Sequence, residues 1–170
     1  MPDALVRVAT NADAAVLQTI YAHHVANGTA TFDTVAPDAA FWAGKIEAVL
    51  ARGWPFLVVA RADAVKGFAY ATRFRDRAAY AHTCENSIYI ADGSRGAGLG
   101  SVLLGALVVE ARDCGFAQMI AVIGGGEPAS VALHAKLSFR EAGRMRDVGR
   151  KFGRLLDTVY MQRALVGEGA

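Results

Sequence analysis

"IYIADGSRGAGLGSVLLGALVVEAR", residues 88–112, decides how this chain is read. It opens on Ile88, Tyr89 and Ile90, an apolar and aromatic run suited to a strand. It closes on a Leu-, Val- and Ala-rich run suited to a long apolar helix. Between the two, Gly96, Gly98 and Gly100 sit at every second position, with Arg95 just ahead of them. A helix N-terminus carries unpaired N–H groups and a partial positive charge, so anions bind there, and glycine lets the backbone come close to them. Two well-known phosphate loops do not fit. The dinucleotide pattern needs a third glycine where Ser101 stands, and the nucleoside-triphosphate loop needs a Gly-Lys pair that is absent. The arrangement suits a pyrophosphate held without a metal by successive amides of Gly96, Ala97, Gly98, Leu99, Gly100 and Ser101. Glycines alone could equally make a tight turn and allow close helix packing, but that explanation leaves Arg95 without a role.

Working outward, the 170 residues, 54% hydrophobic and 20% charged, predict one folded domain over residues 1–170. A net charge of +2 is too small to argue for a nucleic-acid partner. No apolar run reaches the roughly 18 residues of a membrane helix, and "MPDALVRVAT" lacks the basic start and apolar core of a signal peptide. A cytoplasmic protein with no membrane partner is expected. Cys84 and Cys114 fit no zinc spacing, so both are read as small buried thiols and no metal is expected.

The remaining pattern predicts the order β-α-α-β-β-β-α-β-α-β-β. "ALVRVAT" alternates as a strand, and Asn11 or Asp13 can cap a helix running to about Asn27. "NGTATFDT" is a polar turn with an exposed-looking Phe32, and Pro37 and Asp38 start a second helix holding Phe41, Trp42, Ile46 and Leu50. "PFLVVARAD" and "VKGFAYATRF" form a hairpin turning near Asp63 and Ala64. An arginine-rich loop with Arg73, Arg75 and Arg77 follows, and then the strand "AHTCENSIYIA". After the glycine segment come the strand "AQMIAVI", the helix "ASVALHAKLSF" and two strands around a "GRKFGR" turn. The expected fold class is α/β (α+β), one mixed sheet with helices.

"SRGAGLGSVLL" resembles the acetyl-CoA loop of the GNAT N-acetyltransferases, R/Q-x-x-G-x-G/A, with Arg95, Gly98 and Gly100 in register. "TATFDT", "WPFLV", the Y-A-x-x-x-R stretch from Tyr70 to Arg75, "AVIGG", "ASVALH" and "GRKFGRLLDTVYMQ" resemble the phosphinothricin and methionine sulfoximine acetyltransferases within that family, over nearly the whole chain. The resemblance implies the GNAT fold, a mixed central sheet with a splayed strand pair at the acetyl-CoA site and helices on both faces. It implies acetyl-CoA as co-substrate, with the backbone of Ile88, Tyr89 and Ile90 against its pantetheine arm and Glu127, Ser130 and Lys136 also beside it. It further implies a homodimer, with the Lys151–Arg154 turn at the interface close to the substrate cleft.

Acetylating an amine requires a base, a polarised carbonyl and a proton for the departing thiolate. Glu85, among apolar strand residues, is expected to have a raised pKa if it is buried without a cationic partner. The resemblance sets the catalytic glutamate there; a carboxylate pointing outward from an edge strand is the plainer alternative. His134 lies four residues after Ser130 on one helix face, with Leu133 and Leu137 packing the other side. It is read as a proton donor or relay, or as a histidine bonded to backbone. Cys84 neighbours Glu85 in a strand, so the two face opposite ways and a cysteine-borne acyl group is disfavoured against direct attack. Arginine grips carboxylate or phosphinate bidentately, so Arg73 and Arg75 favour a small anionic amino acid as substrate; Asn86 stands beside Glu85, and the resemblance implies Phe32, Phe74 and Lys151 at or near the same cleft. Two positions depart from the subfamily pattern: Glu127 replaces Asn, and Ser138 replaces the Gly before Phe139. The main reading is an amino-acid N-acetyltransferase. A protein or peptide N-acetyltransferase and a non-catalytic acyl-CoA-binding module are the alternatives.

Overall fold

The structure, a computed structural model, describes residues 4–167. Seven strands form one sheet in the order β1-β2-β3-β4-β5-β7-β6. The strands are β1 (Leu5–Val8), β2 (Phe56–Arg61), β3 (Ala64–Arg73), β4 (Thr83–Ile90), β5 (Gln118–Gly124), β6 (Arg140–Lys151) and β7 (Arg154–Ala164). The helices are α1 (Ala14–Asn27), α2 (Ala39–Leu50), α3 (Leu99–Asp113) and α4 (Pro128–Lys136). This is the expected order, and its layering follows from side-chain alternation. In β2, Phe56 and Val58 enter one core with Trp42, Ile46 and Leu17 of α2 and α1. Leu57 and Val59 enter another with Leu103, Leu104 and Leu107 of α3. A strand covered on both faces must be apolar throughout, and "FLVV" is.

Local chemistry sets the element ends. Thr10 and Asp13 form a capping box ahead of α1, and Asp13 is clamped by Arg7 at 2.7 Å, which holds its carboxyl below the usual range. The Asp38 side chain caps α2 by accepting from the Phe41 amide at 2.8 Å. Both hairpin turns need left-handed backbone, found at Ala62 and Asp63 in one and at Phe152 and Gly153 in the other. Cys84 is buried, but Cys114 is exposed at the end of α3, contrary to expectation.

Ser138 has φ 65°, in the region that favours glycine, where a side chain costs about 1 kcal/mol. Ser138→Gly is therefore expected to raise the stability measured by denaturant unfolding by about 1 kcal/mol, with activity unchanged.

The sheet is antiparallel except between β4 and β5, and there the pairing is incomplete. It joins Thr83–Asn86 to Gln118–Ala121 and stops. Beyond that point Ser87–Ile90 pair only with β3, and Val122–Gly124 only with β7. Two neighbouring strands thus splay apart in mid-sheet and leave facing edges of unpaired backbone groups.

Candidate active site

The splay opens a cavity of about 90 Å³ lined by Glu85, Asn86, Ile88, Tyr89, Val122, Ser130 and His134 among others. Alternation along β4 sends Glu85, Ser87 and Tyr89 toward α1 and α2, and sends Cys84, Asn86 and Ile88 toward α3 and α4. The gap lets groups from opposite sheet faces share one space.

On the α1–α2 side, Glu85 pairs across the ladder with Thr72, beside Tyr70 opposite Ser87. Burial pushes its carboxyl pKa up, and the positive charges of Arg75 and Lys45 pull it part of the way back. Lys45 was not anticipated. It lies 5.2 Å from the Tyr70 ring centroid, brought there by α2. Its signal in the sequence is a lysine three residues after Trp42, on the stripe that continues through Ile46 and Val49. Arg75 stacks over Phe74 at 4.0 Å and donates to the Phe74 carbonyl at 2.9 Å. Arg73 does not join it. It pairs with Cys84, faces the α3 side, and its Nε finds no partner among the described residues.

On the α4 side, His134 is 2% exposed. Its Nδ1 lies 2.7 Å from the Ser130 carbonyl and its Nε2 3.1 Å from Asn86 Oδ1. Asn86 Nδ2 reaches the Ile120 carbonyl at 3.4 Å. Asn86 is therefore a partner of His134, and it enters the cavity from the sheet face opposite Glu85. The Ser130 carbonyl and Asn86 Oδ1 can both only accept, so each contact needs an N–H from the ring; burial lowers the imidazole pKa, and the neutral ring donates to one of the two at a time. The Cys84 thiol, buried on this side, is pushed up to about 12 and stays protonated, which removes it as a nucleophile.

The glycine segment divides into two kinds of position. Gly96 and Gly98 have φ 74° and 79°, and a Cβ on either would point into open space. Both therefore serve backbone shape, and Gly98 is the left-handed N-cap of α3. Gly100 has ordinary backbone, and a Cβ there would lie 3.2 Å from Leu133 of α4, so it serves close packing. Ala97 is exposed, Leu99 is core, and Ser101 bonds back to the Gly98 carbonyl at 3.1 Å. The exposed loop ahead of a fifteen-residue helix leaves the Leu99 and Gly100 amides free for an anion. Arg95 reaches His24 Nδ1 at 3.4 Å, and His24 Nε2 holds the Ile90 carbonyl at 2.9 Å. Ile90 thus has its carbonyl already engaged.

Three other expected contacts land elsewhere. Glu127 caps α4 by accepting from the Ser130 amide at 2.8 Å, a role that Asn would fill as well. Lys136 is exposed on the last turn of α4, off the face shared by Ser130 and His134. Lys151 is 4% exposed, and its ammonium donates to the Gly28 and Thr31 carbonyls at 2.8 and 2.9 Å. It ties down the loop after α1 instead of standing free in the cleft. Phe32, carried by that loop, is half-buried, with its ring between Gly124 of β5 and Gly149 of β6.

A model of the "Acetyltransferase (GNAT) domain" matches residues 6–160. The chain belongs to the GNAT acetyltransferase family. It is 44% identical over 161 residues to a phosphinothricin N-acetyltransferase of Alcaligenes faecalis, covering 94% of this chain and 82% of that one. It is 39% identical over 160 residues to an L-methionine sulfoximine/L-methionine sulfone acetyltransferase of Pseudomonas paraeruginosa, covering 94% and 93%. Among solved structures, the GNAT phosphinothricin acetyltransferase of Sinorhizobium meliloti in complex with AcCoA superposes with a TM-score of 0.94 at 44% identity, over 98% of this chain and 90% of that one. The GNAT fold expected from the glycine segment is thus the fold observed, including the splayed β4–β5 pair.

Proposed function

We propose that this GNAT protein transfers acetyl from acetyl-CoA to the amino group of a small anionic amino acid or analogue of the phosphinothricin, methionine sulfoximine or methionine sulfone type. The single observation that carries the reading is the splay between β4 and β5, where Glu85 and His134, from opposite faces of the sheet, line one cavity. The relatives' names, and the AcCoA in the Sinorhizobium structure, support both the co-substrate and the acceptor class.

The residues fit an acyl-CoA: Gly96 and Gly98 supply the left-handed backbone of an exposed loop ahead of α3, and the β4 edge offers unpaired backbone to an extended arm. Acetyl-CoA supplies the acetyl group as an activated thioester. Every other task falls to the chain. Glu85, ionised, accepts the proton that the acceptor ammonium must lose before attack. Arg75 and Lys45, on the same side as Glu85, hold the acceptor's anionic groups. Backbone N–H groups along the splayed edge polarise the carbonyl. His134, kept dry and oriented by Asn86 and Ser130, holds a proton for the leaving sulfur side of the cavity. Direct attack within one ternary complex follows from the inert Cys84 thiol and its opposite orientation to Glu85. A homodimer is part of the reading: Met145, Val148, Phe152 and Leu155 stand exposed on the β6–β7 hairpin, an apolar face suited to a second copy.

The test is thiol release from acetyl-CoA with a panel of these amino acids and with peptide N-termini. Turnover on the free amino acids is expected. Turnover on peptides alone would favour the protein-acetylating alternative, and binding of acetyl-CoA without turnover would favour the non-catalytic one. In the same assay Arg75→Ala is expected to move the acid limb of kcat/KM to higher pH. Arg75 lowers the Glu85 pKa, so its loss raises that pKa further, and the base form is then lost sooner as pH falls.

A further inference from the structure

His24 belongs to none of the groups assigned so far, yet it is 7% exposed and lies where α1, β4 and the glycine segment meet. Its Nε2 is 2.9 Å from the Ile90 carbonyl, which can only accept, so Nε2 carries the proton. Its Nδ1 is then a lone pair, and the Nη2 of Arg95 lies 3.4 Å from it as donor. The Tyr89 ring, 5.3 Å away, closes the remaining side. Burial lowers the imidazole pKa, and the Arg95 and His23 charges lower it further against the Ile90 carbonyl and Asp92, so the neutral acceptor form is maintained. Arg95 itself is exposed at the start of a loop of glycines, where a long cationic side chain would otherwise sample many rotamers.

We infer that His24 is a positioning residue for the co-substrate: a neutral imidazole anchored on the last residue of β4 that holds the Arg95 guanidinium against the amide nest at α3, ready for the diphosphate. This rests on the acetyl-CoA reading of that nest. Arginine carries five donors, so one bond to His24 leaves the others for an anion. Ordering the side chain before the ligand arrives removes an entropy cost from binding.

The test is calorimetric binding of coenzyme A to five proteins: wild type, His24→Leu, Arg95→Ala, the double variant of those two changes, and His24→Gln as the conservative replacement. His24→Leu is expected to weaken binding about tenfold, the scale of one charge-assisted hydrogen bond. His24→Gln, which can still donate and accept, is expected to stay within about threefold. In the Arg95→Ala background the leucine change should cost less than about twofold, because the residue acts through Arg95. KM for the amine should not move. A structural packing role would instead give the same loss in both backgrounds, and that result overturns the inference, as would wild-type affinity in a folded His24→Leu protein. If His24→Leu does not fold, weakening of His24→Gln as severe as that of Arg95→Ala overturns it and near-wild-type binding supports it. Failure of the wild type to bind coenzyme A would overturn the acetyl-CoA reading as well, which separates the two failures.

Discussion

Glu85→Gln is expected to lower kcat by about 10²–10⁴-fold, the range for removing a positioned general base. The amide keeps the shape of the side chain and its place opposite Thr72, so the fold and coenzyme A binding should be unchanged. What it loses is the capacity to take a proton from the acceptor ammonium. The pH profile supplies an independent check. Burial raises the Glu85 pKa, with Arg75 and Lys45 opposing, so the base form is depleted as pH falls through that raised value. The wild type should therefore show an acid limb in kcat/KM that is missing from the residual activity of Glu85→Gln. Thiol release followed across pH measures both. A variant that retains activity within about threefold would remove Glu85 from the base role.

Gly149→Ala is the second large effect, and it acts at a distance from any reacting atom. A Cβ at Gly149 would overlap the Phe32 ring, well inside van der Waals contact, and on the ring's other side a Cβ at Gly124 would already be at 3.0 Å. The ring therefore lies in a slot made by two missing side chains. Its loop is not free to back away, since Lys151 grips the carbonyls of Gly28 and Thr31. Nor is the next stretch free, because Tyr21 Oη bridges Thr31 Oγ1 and Asp33 Oδ2 at 2.7 Å each. Overpacking of this kind costs about 1–3 kcal/mol. The expected result is a loss of that size in denaturant unfolding, together with a rise of about tenfold or more in KM for the amine as the loop shifts. Coenzyme A affinity should be unchanged. Equal stability and equal KM would show that Phe32 has somewhere else to go.

Much of the site could be read in order along the chain because its determinants are local. Helix caps, hairpin turns and the φ 65° at Ser138 depend on neighbours within a few residues. The loop Arg95–Ser101 is a continuous segment whose shape comes from its own glycines. Glu85 is a carboxylate inside a strand, and its raised pKa needed only the burial that such a strand predicts. The same two-residue period that parts Cys84 from Glu85 also parts Asn86 from Glu85, and Arg73 from Thr72, so the sheet face of those two residues had a signal in the sequence. His24 and Lys45 left fainter traces, polar residues on helix faces that the core should own.

What the sequence determined by itself was the order of elements and the glycine turn ahead of α3, because each is written in contiguous residues whose backbone preferences are intrinsic. What only the tertiary structure decided was which charges are free. Lys151 and Glu127 read as ligands until a loop carbonyl pair and a helix end were found to hold them. Arg95 had no visible partner until α1 brought His24 against it. A polar group's availability depends on everything else that packs within hydrogen-bond reach, and that neighbourhood exists only once distant segments have met.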